Sequence, residues 1–208
     1  MTAILASDKL KFKEILNFPP VAIDRGEVIF ITGRSGSGKS TLLKMFNGIY
    51  TPDEGAVYYN GIDISELDTL ALRKEVLLVA QGVFLFSGTI QDNFAAFYDY
   101  RELPPPQAEM IERFLQLCCM NFPLAARCNT MSGGERQRIY LAICLSFCPQ
   151  VLMLDEPTSA LDAATANRLL QNLRDFAKDA AVTLLIISHD PSLAEKYGDR
   201  VIALEGGA

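Results

Sequence analysis

"GRSGSGKS", Gly33 to Ser40, decides the fold. It is a complete match to G-x-x-x-x-G-K-[ST]. Before it lies "EVIFITG", a short apolar stretch ending in glycine, which reads as a buried strand. After it comes "KSTLLKMFNGI", with Leu42, Leu43, Phe46 and Ile49 at helical spacing. Strand, glycine loop and helix in that order make a cradle for phosphate. The glycines let backbone N–H groups turn inward, and the helix start faces the anion. Gly33, Arg34, Ser35, Gly36, Ser37, Gly38, Lys39, Ser40 and Thr41 are the expected binding stretch. In it Lys39 reaches the β- and γ-phosphates, Ser40 ligates Mg²⁺, and Thr41 donates to the α-phosphate.

Further along, "VLMLDE", Val151 to Glu156, reads as a second buried strand closed by two acids. Open parallel sheets take ligands at the carboxyl ends of their strands, the edge where the glycine loop also sits. Asp155 is therefore placed to hold the metal through water, and Glu156 to orient and deprotonate an attacking water. His189, in "IISHD", is the only histidine and follows another apolar strand on the same edge. A hydrogen bond to the γ-phosphate is within its reach. Gln81 ends "VLLVA", where a contact to Mg²⁺ or to the attacking water is available.

The remaining chain alternates apolar strands with helices. "VLLVAQ", "VLMLD", "VTLLIIS" and "RVIAL" join "EVIFITG" as strands, and "DAATANRLLQNLRDFAKD" reads as a helix with Asp162 as N-cap. This pattern predicts a mainly parallel sheet covered on both faces. "TIQDNFAAF" predicts a short helix, and "YDYRELPPPQ" a linker. "AEMIERFLQLCC" predicts an amphipathic helix with Met110, Phe114, Leu117 and Cys118 on one side. Another helix is expected over Glu135–Phe147. Just before it, "MSGGE", Met131 to Glu135, bares backbone N–H groups at a helix start and makes a second seat for an anion.

The 208 residues suit one domain, with helices about 93–148 as an inserted subdomain. A net charge of -6 argues against a nucleic-acid partner, which wants a basic face. No apolar run reaches the roughly 20 residues that cross a bilayer, so a cytoplasmic protein is expected. The five cysteines, Cys118, Cys119, Cys128, Cys144 and Cys148, include no CxxC pair and lie far from His189. They read as small apolar residues on helices, with Cys144 and Cys148 sharing a core face.

In this order, "GRSGSGKS", Gln81, "MSGGE", "VLMLDEPTSALD" and His189 resemble the ATP-binding cassette (ABC) ATPases over nearly the whole chain. The resemblance implies a P-loop α/β fold with an N-terminal antiparallel β portion and an inserted helical subdomain. It implies ATP and Mg²⁺ as ligands, with Ser40, Gln81 and Asp155 around the metal. Catalytic roles fall to Glu156, His189, Lys39 and Gln81. Phe12 matches the position of an aromatic that stacks on adenine. "SALD", Ser159 to Asp162, resembles the loop that contacts an opposite subunit, through Asp162.

The resemblance also gives the second seat a purpose. Ser132, Gly133, Gly134 and Glu135 would close over a nucleotide held by another copy, so a two-fold homodimer is expected on ATP binding. Glu135 stands where glutamine is common and brings a carboxylate near a phosphate site. The expected partner is a membrane permease on a separate chain, with this protein peripheral on the cytoplasmic face. "LFSGTIQDN" is similar to exporter subunits and favours export, and the short helical region resembles small subunits linked to iron or metal export. The alternative is a soluble ABC ATPase serving an assembly process such as iron–sulfur cluster building.

Overall fold

The computed structural model describes residues 3–204. The chain runs through β1 (Leu5–Ser7), β2 (Leu10–Phe12), β3 (Leu16–Phe18), β4 (Val21–Ile23) and β5 (Val28–Gly33) before α1 (Lys39–Phe46). Then come β6 (Val57–Tyr59), β7 (Ile62–Asp63), α2 (Thr69–Glu75), β8 (Val76–Val79), α3 (Ile90–Asp99), α4 (Ala108–Leu117) and α5 (Gly133–Ser146). The last part is β9 (Val151–Asp155), α6 (Ala163–Ala180), β10 (Thr183–Ile187), α7 (Pro191–Tyr197) and β11 (Arg200–Leu204).

The central sheet is parallel throughout, in the order β11-β5-β10-β9-β8. Its strands are continuous apolar runs because both faces are covered. Successive side chains alternate between the two sides, as the two-residue period requires. Phe30, Leu152, Leu154, Leu184 and Ile186 enter one core, with α3, α4, α5 and α6. Ile29, Ile31, Val151, Met153, Leu185 and Ile187 enter the other, with α1 and the antiparallel sheet. That sheet has the order β4-β1-β6-β7, and β2 pairs with β3 in a separate hairpin. The α/β architecture expected from the sequence is present, including its N-terminal antiparallel portion.

Four expectations are corrected. Helix α1 stops at Phe46, and Ile49 lies beyond it, exposed. The buried face of α4 is Ile111, Phe114, Leu115 and Cys118, while Met110 is exposed. Tyr98 and Asp99 belong to α3 rather than to the linker, and Tyr98 is buried with its hydroxyl donating to the Ser146 carbonyl. Cys144 is buried but Cys148 is exposed, so the two share no core face. A positive φ of 46° at Cys148, just after α5, turns that residue off the helical path.

Candidate active site

Gly38 starts the site. Its φ is 89°, a left-handed backbone that only glycine adopts without cost, and an added Cβ would lie 2.8 Å from Phe18 Cζ. The turn delivers the chain into α1, whose N-terminus has no side-chain cap. The first N–H groups of the helix are thus left for an incoming acceptor. Lys39 is buried, 6% exposed, and its Nζ donates only to the carbonyls of Gly33 (2.9 Å) and Arg34 (3.0 Å). No carboxylate pairs with it among the described residues. Asp155, at the end of β9, is 9% exposed and makes no ion pair among the described residues.

An unpaired buried charge is costly, so both groups call for opposite charge from outside the chain. A magnesium–triphosphate supplies both, anion for Lys39 and cation for Asp155. The residues present therefore fit that ligand.

A cleft of about 240 Å³ opens over the loop, lined by Leu16, Ser35, Gly36, Gly38, Lys39, Ser40, Thr41, Glu156 and His189. The fold thus brings together residues more than a hundred positions apart. Glu156 has φ 53°, a strained value for a side chain of its size, on the first step out of β9. His189 Nε2 lies 2.7 Å from Glu156 Oε1, and Gln81 Nε2 is 3.5 Å from Oε2. The Glu156 side chain is 22% exposed and that of His189 is 49% exposed, so water reaches both. A carboxylate held from two sides, beside a phosphate cradle and open to water, can activate that water.

Two further residues bear on the site. Phe12 does not line it. Its ring stacks on Tyr50, with centroids 5.2 Å apart, and Leu16, its cross-strand partner in the β2–β3 hairpin, forms the apolar wall instead. Gln137 was not foreseen. Buried on α5, its Nε2 donates to the Asp155 carbonyl at 3.4 Å. A buried amide two residues beyond the second seat, in "SGGERQ", was the available signal.

The second seat lies apart from this cleft. Ser132 is the N-cap of α5, exposed, and Gly134 packs against the loop after β9. A Cβ on Gly134 would meet Ala160 Cβ at 3.1 Å. Asp162 caps α6 by accepting from Thr165 N–H (2.9 Å) and hydroxyl (2.7 Å), and these bonds hold its carboxyl below the usual range. Glu135 turns back onto Ser132, whose N–H and hydroxyl hold its carboxyl below the usual range too.

With this geometry in place, comparison with known proteins decides the family: residues 17–159 match the family described as ABC transporter. The chain belongs to that family. Methionine import ATP-binding protein MetN 2 of Paraburkholderia xenovorans strain LB400 is 36% identical over 190 residues, covering 89% of this chain and 49% of the relative. The ABC cassette MJ0796, solved as a dimer in a post-hydrolysis state bound to ADP and Pi, is 28% identical with a TM-score of 0.82. The match covers 98% of this chain and 95% of that one. A bacterial Atm1-family ABC exporter solved with ATP bound gives a TM-score of 0.87 at 27% identity, covering 99% of this chain and 37% of the exporter.

The chain spans about half the length of the curated relatives it matches. An importer subunit and an exporter both resemble this ABC chain, and most of the first relatives are named for import. The preference for export read from "LFSGTIQDN" is therefore not supported. The soluble assembly-factor alternative also gains nothing from relatives named for transport. Among the described residues no helix is long and apolar enough to cross a membrane.

Proposed function

We propose that this chain is an ATP-hydrolysing, ATP-binding subunit of an ABC transporter. It closes in pairs around ATP and drives a permease carried on a separate chain, from the cytoplasmic face of the membrane. The observation that carries the reading is the entry of Glu156 and His189 into the cleft over the glycine loop.

Lys39 and the open N–H groups of α1 hold the triphosphate. Ser40, Asp155 and Gln81 are the residues that would hold Mg²⁺, which when bound neutralises charge building on the phosphate oxygens. Glu156 orients the attacking water and accepts its proton. His189, through its 2.7 Å contact, fixes that carboxylate, and Gln81 steadies its second oxygen. Catalysis of this kind rests on placement and charge rather than on a covalent intermediate.

Residues 93–148 act as the subdomain that carries the second seat to a partner. Ser132, Gly133 and Gly134 then hold a γ-phosphate bound by the other copy, with Asp162 at the contact. MJ0796 was solved as a dimer, which supports this arrangement. Loss of the γ-phosphate removes the bridge, and the pair opens.

Glu156→Gln tests the chemistry. Phosphate release is expected to fall about 10²- to 10⁴-fold with ATP affinity unchanged. Turnover at the parent rate would remove Glu156 from its role. Ser132→Arg tests the second seat: hydrolysis stops while ATP binding to the single chain survives. Normal turnover in that variant refutes the shared site.

A further inference from the structure

In the free chain the second seat is already engaged. Ser132 N–H donates to Glu135 Oε2 at 2.8 Å, and Glu135 N–H donates to the Ser132 hydroxyl at 3.3 Å. That exchange is a capping box. The start of α3 has the same device, with Thr89 and Asp92 trading the same two bonds. In the α5 box Ser132 Oγ also donates to Glu135 Oε2 at 2.8 Å. Both donors of Ser132 are therefore spent on one carboxylate oxygen of their own chain.

We propose that Glu135 is a positioning residue that latches the second seat shut, so that a partner's γ-phosphate must displace its carboxylate from Ser132 before the pair closes. The proposal rests on the shared-site reading above. Phosphate and carboxylate want the same two donors, and both are anions. They cannot occupy the seat together without like-charge repulsion in addition to lost hydrogen bonds. The released carboxylate has somewhere to go. Glu135 is only partly buried, and Arg138 stands three residues on, on the same helix face, with its Nε turned to Met120 Sδ. Gly133 and Gly134 keep their N–H groups for phosphate throughout. The latch therefore taxes closure without altering how a single chain holds ATP.

The test compares Glu156→Gln with Glu156→Gln/Glu135→Gln, so that no ATP is consumed. Sedimentation equilibrium gives the dimer Kd with saturating Mg-ATP, and equilibrium dialysis gives ATP affinity at chain concentrations where monomer prevails. Glutamine keeps an acceptor for the Ser132 N–H but replaces charge-assisted bonds with neutral ones about half as strong. The expected result is a dimer at least about tenfold tighter, with monomer ATP affinity unchanged. Equal or weaker dimerisation of the double variant overturns the latch and leaves the shared site standing. No ATP-dependent dimer in either protein overturns the shared site and the latch with it. Equal helical content by circular dichroism and cooperative melting of both proteins without ATP exclude a damaged α5 as the source of any difference.

Discussion

The molecule has two helix starts suited to anions, and they are built in opposite ways. At α1 the helix has no side-chain cap, the preceding glycine is left-handed, and a buried ammonium pairs with no carboxylate among the described residues. At α5 the cap is complete, the cap residue is exposed, and an ionised carboxylate sits on it. The first start is unsatisfied until something binds. The second is satisfied by its own chain and yields only to a competitor. The difference teaches that the glycines common to both serve different ends, backbone shape in one and clearance in the other.

The hardest blow to this contrast falls on Lys39. Lys39→Ala removes the cation that the α1 seat depends on, and ATP affinity is expected to drop about 10- to 100-fold by equilibrium binding. Unchanged affinity would mean that the uncapped helix start alone makes the seat.

Paired glycine substitutions sharpen it. Gly38→Ala forces a side chain into a left-handed backbone and against Phe18, so a loss of about 1–2 kcal/mol from backbone strain alone is expected in chemical denaturation. Gly134→Ala keeps an ordinary helical backbone and crowds only Ala160. Its stability is expected to change by less than about 1 kcal/mol, the crowding offset by the better helix propensity of alanine. Equal losses would erase the distinction between shape and clearance.

The smallest effect is acid sensitivity. The Glu135 carboxyl is held below its usual range, by the Ser132 N–H first and the hydroxyl second. Its contribution is therefore full above the ordinary carboxylate range and lost as pH falls through the lowered folded value. Melting temperature should fall less steeply on acidification in Glu135→Gln than in the parent. Parallel curves would show that the cap carries no charge-dependent weight.

Much of this was legible beforehand, for identifiable reasons. Strands buried on both faces need unbroken apolar runs, so "VIFIT", "VLMLD" and "TLLII" announce themselves. The glycine loop is legible because its backbone demands glycine at fixed spacing. The strand order was not, because which apolar run lies beside which depends on crossovers that leave no local mark. The face of α4 is ambiguous by one position, since Met110 and Ile111 both continue an apolar stripe and only packing chooses Ile111. Phe12 and Leu16 are opposite one another in a hairpin whose turn leaves no strong local mark, so spacing alone does not show that Leu16 lines the cleft over the glycine loop. Glu135 reads from the sequence as a stray charge, and whether it points at the seat or away from it is a rotamer choice that no spacing encodes.

The bond from Gln137 to the Asp155 carbonyl ties these observations together. It joins the helix that begins at the second seat to the strand end that precedes Glu156. The start of α5 therefore cannot shift relative to the end of β9 without stretching or breaking a buried hydrogen bond, which makes the two places one mechanical piece within a single chain.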